Sequence, residues 1–120
     1  MFTLGSSLRF QLYSNPTDMR KSFDGLCGIV QNLLNQSPSN GDVYVFINKP
    51  RNKIKLLHWS GNSFILYYKR LESGTFEHPQ YDIESGSYQL SYSQIVMLID
   101  GISIKNIEIK KQFLPTLQHI

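Results

Sequence analysis

The chain has 120 residues, 41% of them hydrophobic, and seven Tyr and seven Phe supply enough large side chains for one packed core. A single cysteine excludes an internal disulfide and a cysteine metal cage, and the short apolar runs exclude a membrane-spanning helix. Because the N-terminus lacks an export signal, the default prediction is a cytoplasmic protein. The net charge of +3 permits an acidic partner such as DNA without requiring one.

The first predicted elements are a strand and a helix. Apolar and polar residues alternate from Leu8 to Tyr13, which is the period of a half-buried strand. Pro16 then breaks the pattern, and Thr17 or Asp18 is the candidate helix N-cap. The helix is expected to end near Gln36. One stripe of it is expected to face the core: Phe23, Leu26, Cys27, Val30, Leu33 and Leu34.

Three runs rich in β-branched and aromatic residues follow, and they predict a β-meander. The runs are Asp42 to Asn48, Lys53 to Trp59 and Ser63 to Arg70. A short extended piece is expected around Thr75 to Glu77, and the polar stretch Gln80 to Gln89 is expected to be rich in turns.

The C-terminal part predicts a second helix. Ser91 and Gln94 form a capping-box pattern ahead of an apolar run that ends at Gly101. Alternating isoleucines after Gly101 slip phase at Asn106, so residues 103–120 are a bulged strand or an arm. The predicted architecture is α+β: an antiparallel β-sheet meander with one main helix packed on a face and a short second helix, with residues 1–102 as a single domain.

The pattern of reactive residues does not predict an active site. A metal-dependent nuclease needs carboxylates that converge on divalent ions, whereas the nine acidic residues are scattered near the ends of elements. The histidines lack the spacing of a helical zinc pair, and Cys27 lies on the core stripe, where a thiol is poorly ionised. We therefore predict a protein without catalytic activity, metal or cofactor.

The main charge feature is a cluster of cations at the turn before the second meander strand: Lys49, Arg51, Lys53 and Lys55. If Trp59 pairs with Ser63, the sheet gains a basic face with aromatic residues, opposite the core. That face would hold Lys53, Lys55, Trp59, Tyr67 and Lys69, and the core face would hold Ile54, Leu56, Phe64, Leu66 and Tyr68. Such a face can neutralise phosphates and stack on bases, although a solvated sheet face also shows alternating lysines.

Several motifs resemble a known family. The run Thr17 to Leu26 (TDMRKSFDGL), followed by Gly41 to Phe46, resembles the opening of the small accessory protein, often called TnpB, of insertion-sequence family sixty-six. Asn52 to Leu57, Tyr68 to Phe76 and the second helix recur in that family in the same order. The resemblance covers about residues 3–102.

The resemblance implies a non-catalytic protein that assists a separate transposase of the same element in DNA transposition. It leaves two modes open, which are binding of DNA and docking on the transposase without DNA contact. Within the motifs, four long cations are not needed for packing: Arg20, Lys21, Lys69 and Arg70. Together with the four cations at the turn and Trp59, they are the predicted partner-binding residues.

Overall fold

A computed structural model describes residues 5–77 and 86–101. In chain order the elements are β1 (Phe10–Tyr13), α1 (Phe23–Asn32), β2 (Val43–Ile47), β3 (Lys53–Trp59), β4 (Phe64–Arg70), β5 (Ser87–Leu90) and α2 (Tyr92–Ile99). The predicted C-terminal strand or arm over residues 103–120 lies outside the described residues.

The strands form one sheet in the order β4-β3-β2-β1-β5. β2, β3 and β4 are the predicted antiparallel meander, and β1 pairs antiparallel with β5. β1 and β2 are parallel, because α1 carries the chain back along the sheet between them. The α+β prediction is confirmed, with the addition that one parallel pair makes the sheet mixed.

Both faces of the sheet are covered. All five residues of β2 are buried, and their side chains alternate between two cores. Tyr44 and Phe46 pack with the buried side of α1, whereas Val43, Val45 and Ile47 pack in the cluster that contains the apolar residues of α2. No side chain of β2 is therefore exposed to solvent.

α1 starts later than predicted. Its N-cap is Ser22, so the prediction of Thr17 or Asp18 as the cap is wrong. Thr17 is instead buried, and its backbone N–H donates to the Ile47 carbonyl oxygen at 2.8 Å. This bond attaches the segment before α1, residues 14–22, to the end of β2.

The buried side of α1 is narrower than the predicted stripe. Leu26 and Val30 are fully buried, but Phe23 is 42% exposed and Leu33 is 61% exposed. The prediction that Phe23 and Leu33 face the core is therefore wrong. Because helical geometry ends at Asn32, the later positions no longer follow the spacing of the helix.

In the second half of the chain, the sequence does not predict strand β5, whereas the predicted capping box of α2 is confirmed. Ser87–Leu90 lies in the stretch predicted to be turn-rich, yet it pairs with β1 along its whole length. The capping box of α2 is present, since the Gln94 N–H donates to Ser91 Oγ and the Ser91 N–H donates to Gln94 Oε1. Thr75 to Glu77 forms no strand, although Phe76 is fully buried.

Candidate nucleic-acid interface

The β3–β4 hairpin has a register one residue away from the predicted one. Trp59 pairs with Phe64 rather than with Ser63, and the two rings meet edge to face with centroids 4.8 Å apart. A shift of one residue moves every side chain of β4 to the other face. Tyr67 and Lys69 are therefore on the α2 side. The α1 side holds Lys53, Lys55, Trp59, Phe64, Leu66, Tyr68 and Arg70.

Lys55 is a structural cation. It is only 5% exposed, and its Nζ donates to the carbonyl oxygens of Met19 and Lys21, both at 2.7 Å. The Nζ atom also lies 4.5 Å from the centroid of the Tyr68 ring. Burial lowers the pKa of the Lys55 ammonium group, while the carbonyls and the ring supply its polar contacts. The prediction that Lys55 is presented to a partner is wrong, because it ties β3 to the segment before α1.

Two cations of β4 also have partners within the protein. Lys69 Nζ donates to the Ile99 carbonyl oxygen at 2.8 Å, at the C-terminal end of α2, where the helix dipole favours a positive charge. Arg70 pairs with Glu72, with Nε and Oε2 2.7 Å apart, and this pair is exposed to solvent. Packing against α2 therefore explains Lys69, contrary to the prediction that packing does not need it.

Arg20 forms an ion pair with its near neighbour Asp18. Its Nη2 lies 2.6 Å from Asp18 Oδ2, and its Nε and backbone N–H also donate to this carboxylate. These hydrogen bonds lower the pKa of Asp18 to about 2. The Arg20 side chain is still 91% exposed, so its guanidinium can reach a further partner.

Four of the predicted site cations have neither an ion pair nor a side-chain hydrogen bond within the described ranges: Lys21, Lys49, Arg51 and Lys53. Lys21, Lys49 and Arg51 are exposed, and Lys53 is half-buried at the start of β3. A cation without a partner in the protein does not have to break an internal interaction when it binds an anion. They are therefore the predicted site residues most available to a polyanion.

The loop that carries Lys49 and Arg51 is ordered by hydrogen bonds. Asn48 Oδ1 accepts the backbone N–H groups of Asn52 and Lys53 at 3.0 Å, and Asn48 Nδ2 donates to Asn52 Oδ1 at 2.8 Å. The Phe76 N–H also donates to the Arg51 carbonyl oxygen at 2.6 Å. The loop is thus held in one geometry before any partner binds.

A surface groove of about 600 Å³ separates this loop from the segment before α1. Its charged, hydroxyl and aromatic lining is Thr17, Asp18, Arg20, Lys49, Lys53 and Tyr68. The carboxylate of Asp18 is neutralised by Arg20, so the charge that remains comes from the two lysines. We call this feature the basic groove.

The remaining reactive groups of the described chain do not come together. Within residues 5–77 and 86–101, no three His, Cys, Asp or Glu side chains are placed to hold a metal ion. Burial raises the pKa of the Cys27 thiol, which disfavours the thiolate. None of the described helices has the length and apolar character needed to cross a membrane.

The fold and this surface define a small α+β domain with a basic groove. The family model for the IS66 Orf2 like protein matches residues 8–109, so the chain belongs to that family of transposition-related accessory proteins. It is similar to two uncharacterized proteins of Sinorhizobium fredii. It is 30% identical to y4jC over 91% of this chain and 92% of that protein, and 31% identical to y4hO over 85% and 87%. No solved structure matches the chain.

Tyr68 is the groove residue that the sequence analysis missed, since it was assigned to the core. The signal that could have found it is the turn between β3 and β4. Gly61 and Asn62 form a two-residue turn in which the Ser60 N–H donates to the Ser63 carbonyl oxygen at 2.9 Å. That turn sets the register in which Tyr68 lies opposite Lys55.

Proposed function

We propose that the protein binds DNA and thereby assists the transposase of the same insertion sequence, without catalysing the reaction itself. The observation that carries the proposal is a set of unpaired cations: Lys49 and Arg51 on the loop that Asn48 orders, and Lys53 at the start of β3. Because the backbone of the loop is ordered beforehand, binding of phosphates does not carry the cost of ordering the loop. The proposed role is one in the bacterial cytoplasm, beside the transposase.

The test is DNA binding over a series of salt concentrations. Fluorescence anisotropy with a labelled fragment of the element end should show affinity that falls steeply with salt. Alanine at Lys49, Arg51 or Lys53 should weaken binding to all sequences alike and reduce the salt slope by about 0.9 for each phosphate that is no longer neutralised. Arg9→Ala is the matched control, because Asp42 already pairs with this cation and Arg9 is not among the predicted site residues. Wild-type protein that binds no DNA near physiological salt contradicts the proposal.

A second candidate is docking on the transposase without DNA contact. It is favoured by the edge of the sheet, where β4 has β3 as its one partner among the described strands and Ile65 is 51% exposed. An open strand edge can accept a strand from a partner protein. A pull-down with the transposase separates the two candidates, since apolar docking should survive a salt concentration that releases DNA.

A further inference from the structure

The basic groove contains features that go beyond attraction of phosphates. Tyr68 is 51% exposed, and it lines the groove between the cationic loop and the segment before α1. Lys55 Nζ occupies one side of this ring at 4.5 Å from its centroid. The ring is therefore held in place on one side and accessible in the groove.

The walls of the groove are fixed. On one side, the Thr17 N–H bonds to the Ile47 carbonyl oxygen, and Lys55 holds the carbonyls of Met19 and Lys21. On the other side, Asn48 orders the loop of Lys49 and Lys53. The backbone segments that carry the aromatic ring and the two lysines are thus ordered before binding.

We infer that the basic groove takes unpaired DNA, with one base stacked on Tyr68 and the adjoining phosphates held by Lys49 and Lys53. In a duplex, the faces of the bases are stacked on each other and only their edges are exposed. An exposed aromatic ring gains a stacking partner only from an unpaired base, whereas lysines bind phosphates of either form. The inference rests on the proposed function and adds the form of DNA that is bound.

The experiment compares a labelled oligo-dT of about 20 nucleotides with a duplex of the same length by fluorescence anisotropy. Wild-type protein should bind the single strand more tightly. Tyr68→Leu should weaken single-strand binding at least about fivefold, the lower end of what one stacked base contributes, and should affect duplex binding less. Tyr68→Phe keeps the ring and is the matched control that should retain binding.

Because Tyr68→Leu also removes the ring beside Lys55, a second measurement uses the unaltered protein. Single strands that contain 5-bromodeoxyuridine are cross-linked by ultraviolet light, and the attached residue is mapped by mass spectrometry. Attachment at Tyr68 supports the inference. Attachment only outside the groove overturns it, as does tighter binding of oligo-rU than of oligo-dT.

The outcomes separate the two proposals. Binding of neither DNA form overturns the proposed function and the inference together. Duplex binding equal to or tighter than single-strand binding, with no effect of Tyr68→Leu, leaves the DNA-binding function standing and overturns the inference alone.

Discussion

Lys53 and Lys55 are two residues apart on the same face of β3, yet their surroundings differ. The segment before α1 and the Tyr68 ring cover Lys55. Lys53, the first residue of β3, instead lines the basic groove. Alternation along a strand gives the two lysines the same direction but says nothing about what packs above each one. Their roles are therefore set by tertiary contacts.

We expect Lys55→Met to lower the free energy of unfolding by about 1.5–3 kcal/mol. Methionine keeps the apolar stem but leaves the carbonyls of Met19 and Lys21 without their charged donor. Lys53→Met is the control and should change stability by less than about 0.5 kcal/mol, since Lys53 has no ion pair among the described residues. Urea denaturation of both variants measures the difference. Equal effects would mean that Lys55 is not structural.

The ion pair of Asp18 and Arg20 gives a dependence of stability on pH. The pKa of Asp18 is lowered to about 2 in the folded protein, from an ordinary value of 3.8. The contribution of the pair is therefore fully present above pH 3.8 and is lost as the pH falls through about 2. Asp18→Asn should lose this part of the acid dependence, which denaturation at stepped pH values would show. An unchanged acid profile in the variant would contradict the assignment.

At the scale of the element, α1 contributes to the core through a narrow stripe. Leu26→Ala should cost about 2–5 kcal/mol because the residue is fully buried. Leu33→Ala should cost less than about 1 kcal/mol, since 61% of that residue is already exposed. Chemical denaturation of the two variants gives the comparison. Similar losses at both positions would show that Leu33 is buried in solution.

Much of the element order could be predicted from local patterns. The β2 strand follows its run of β-branched and aromatic residues, and the capping box of α2 depends on Ser91 and Gln94 alone. β5 could not be predicted in this way, because a short polar strand becomes a strand only by pairing with β1.

The candidate site was harder to predict than the fold. The cationic loop was visible as a cluster in the sequence, but the register of β4 was off by one residue, which exchanged Tyr67 with Tyr68. The burial of Lys55 depends on Met19 and Lys21, which are distant in sequence. Such contacts leave no periodic signal in the chain.

At the scale of the whole molecule, the sheet joins two cores. The residues of β2 alternate between the α1 side and the α2 side, so neither core can separate without exposing this strand. Loss of packing on one face therefore removes support from the other face.

We expect one cooperative unfolding transition for the two faces. Leu26→Ala on the α1 side and Ile95→Ala on the α2 side should each shift the whole transition, because both residues are fully buried against the same sheet. Far-ultraviolet circular dichroism and Trp59 fluorescence should give coincident curves in both variants. Separate transitions for the two signals would show that the cores unfold independently.

The position of β1 between β2 and β5 has a consequence for synthesis of the chain. The β3–β4 hairpin pairs neighbouring segments and can form soon after Arg70 leaves the ribosome. β1 is synthesised earlier, yet one of its two edges pairs with β5, and β5 is complete only when Leu90 has been added. A nascent chain therefore carries an open, apolar strand edge until that residue emerges, and this interval is when it is most prone to pair with another chain.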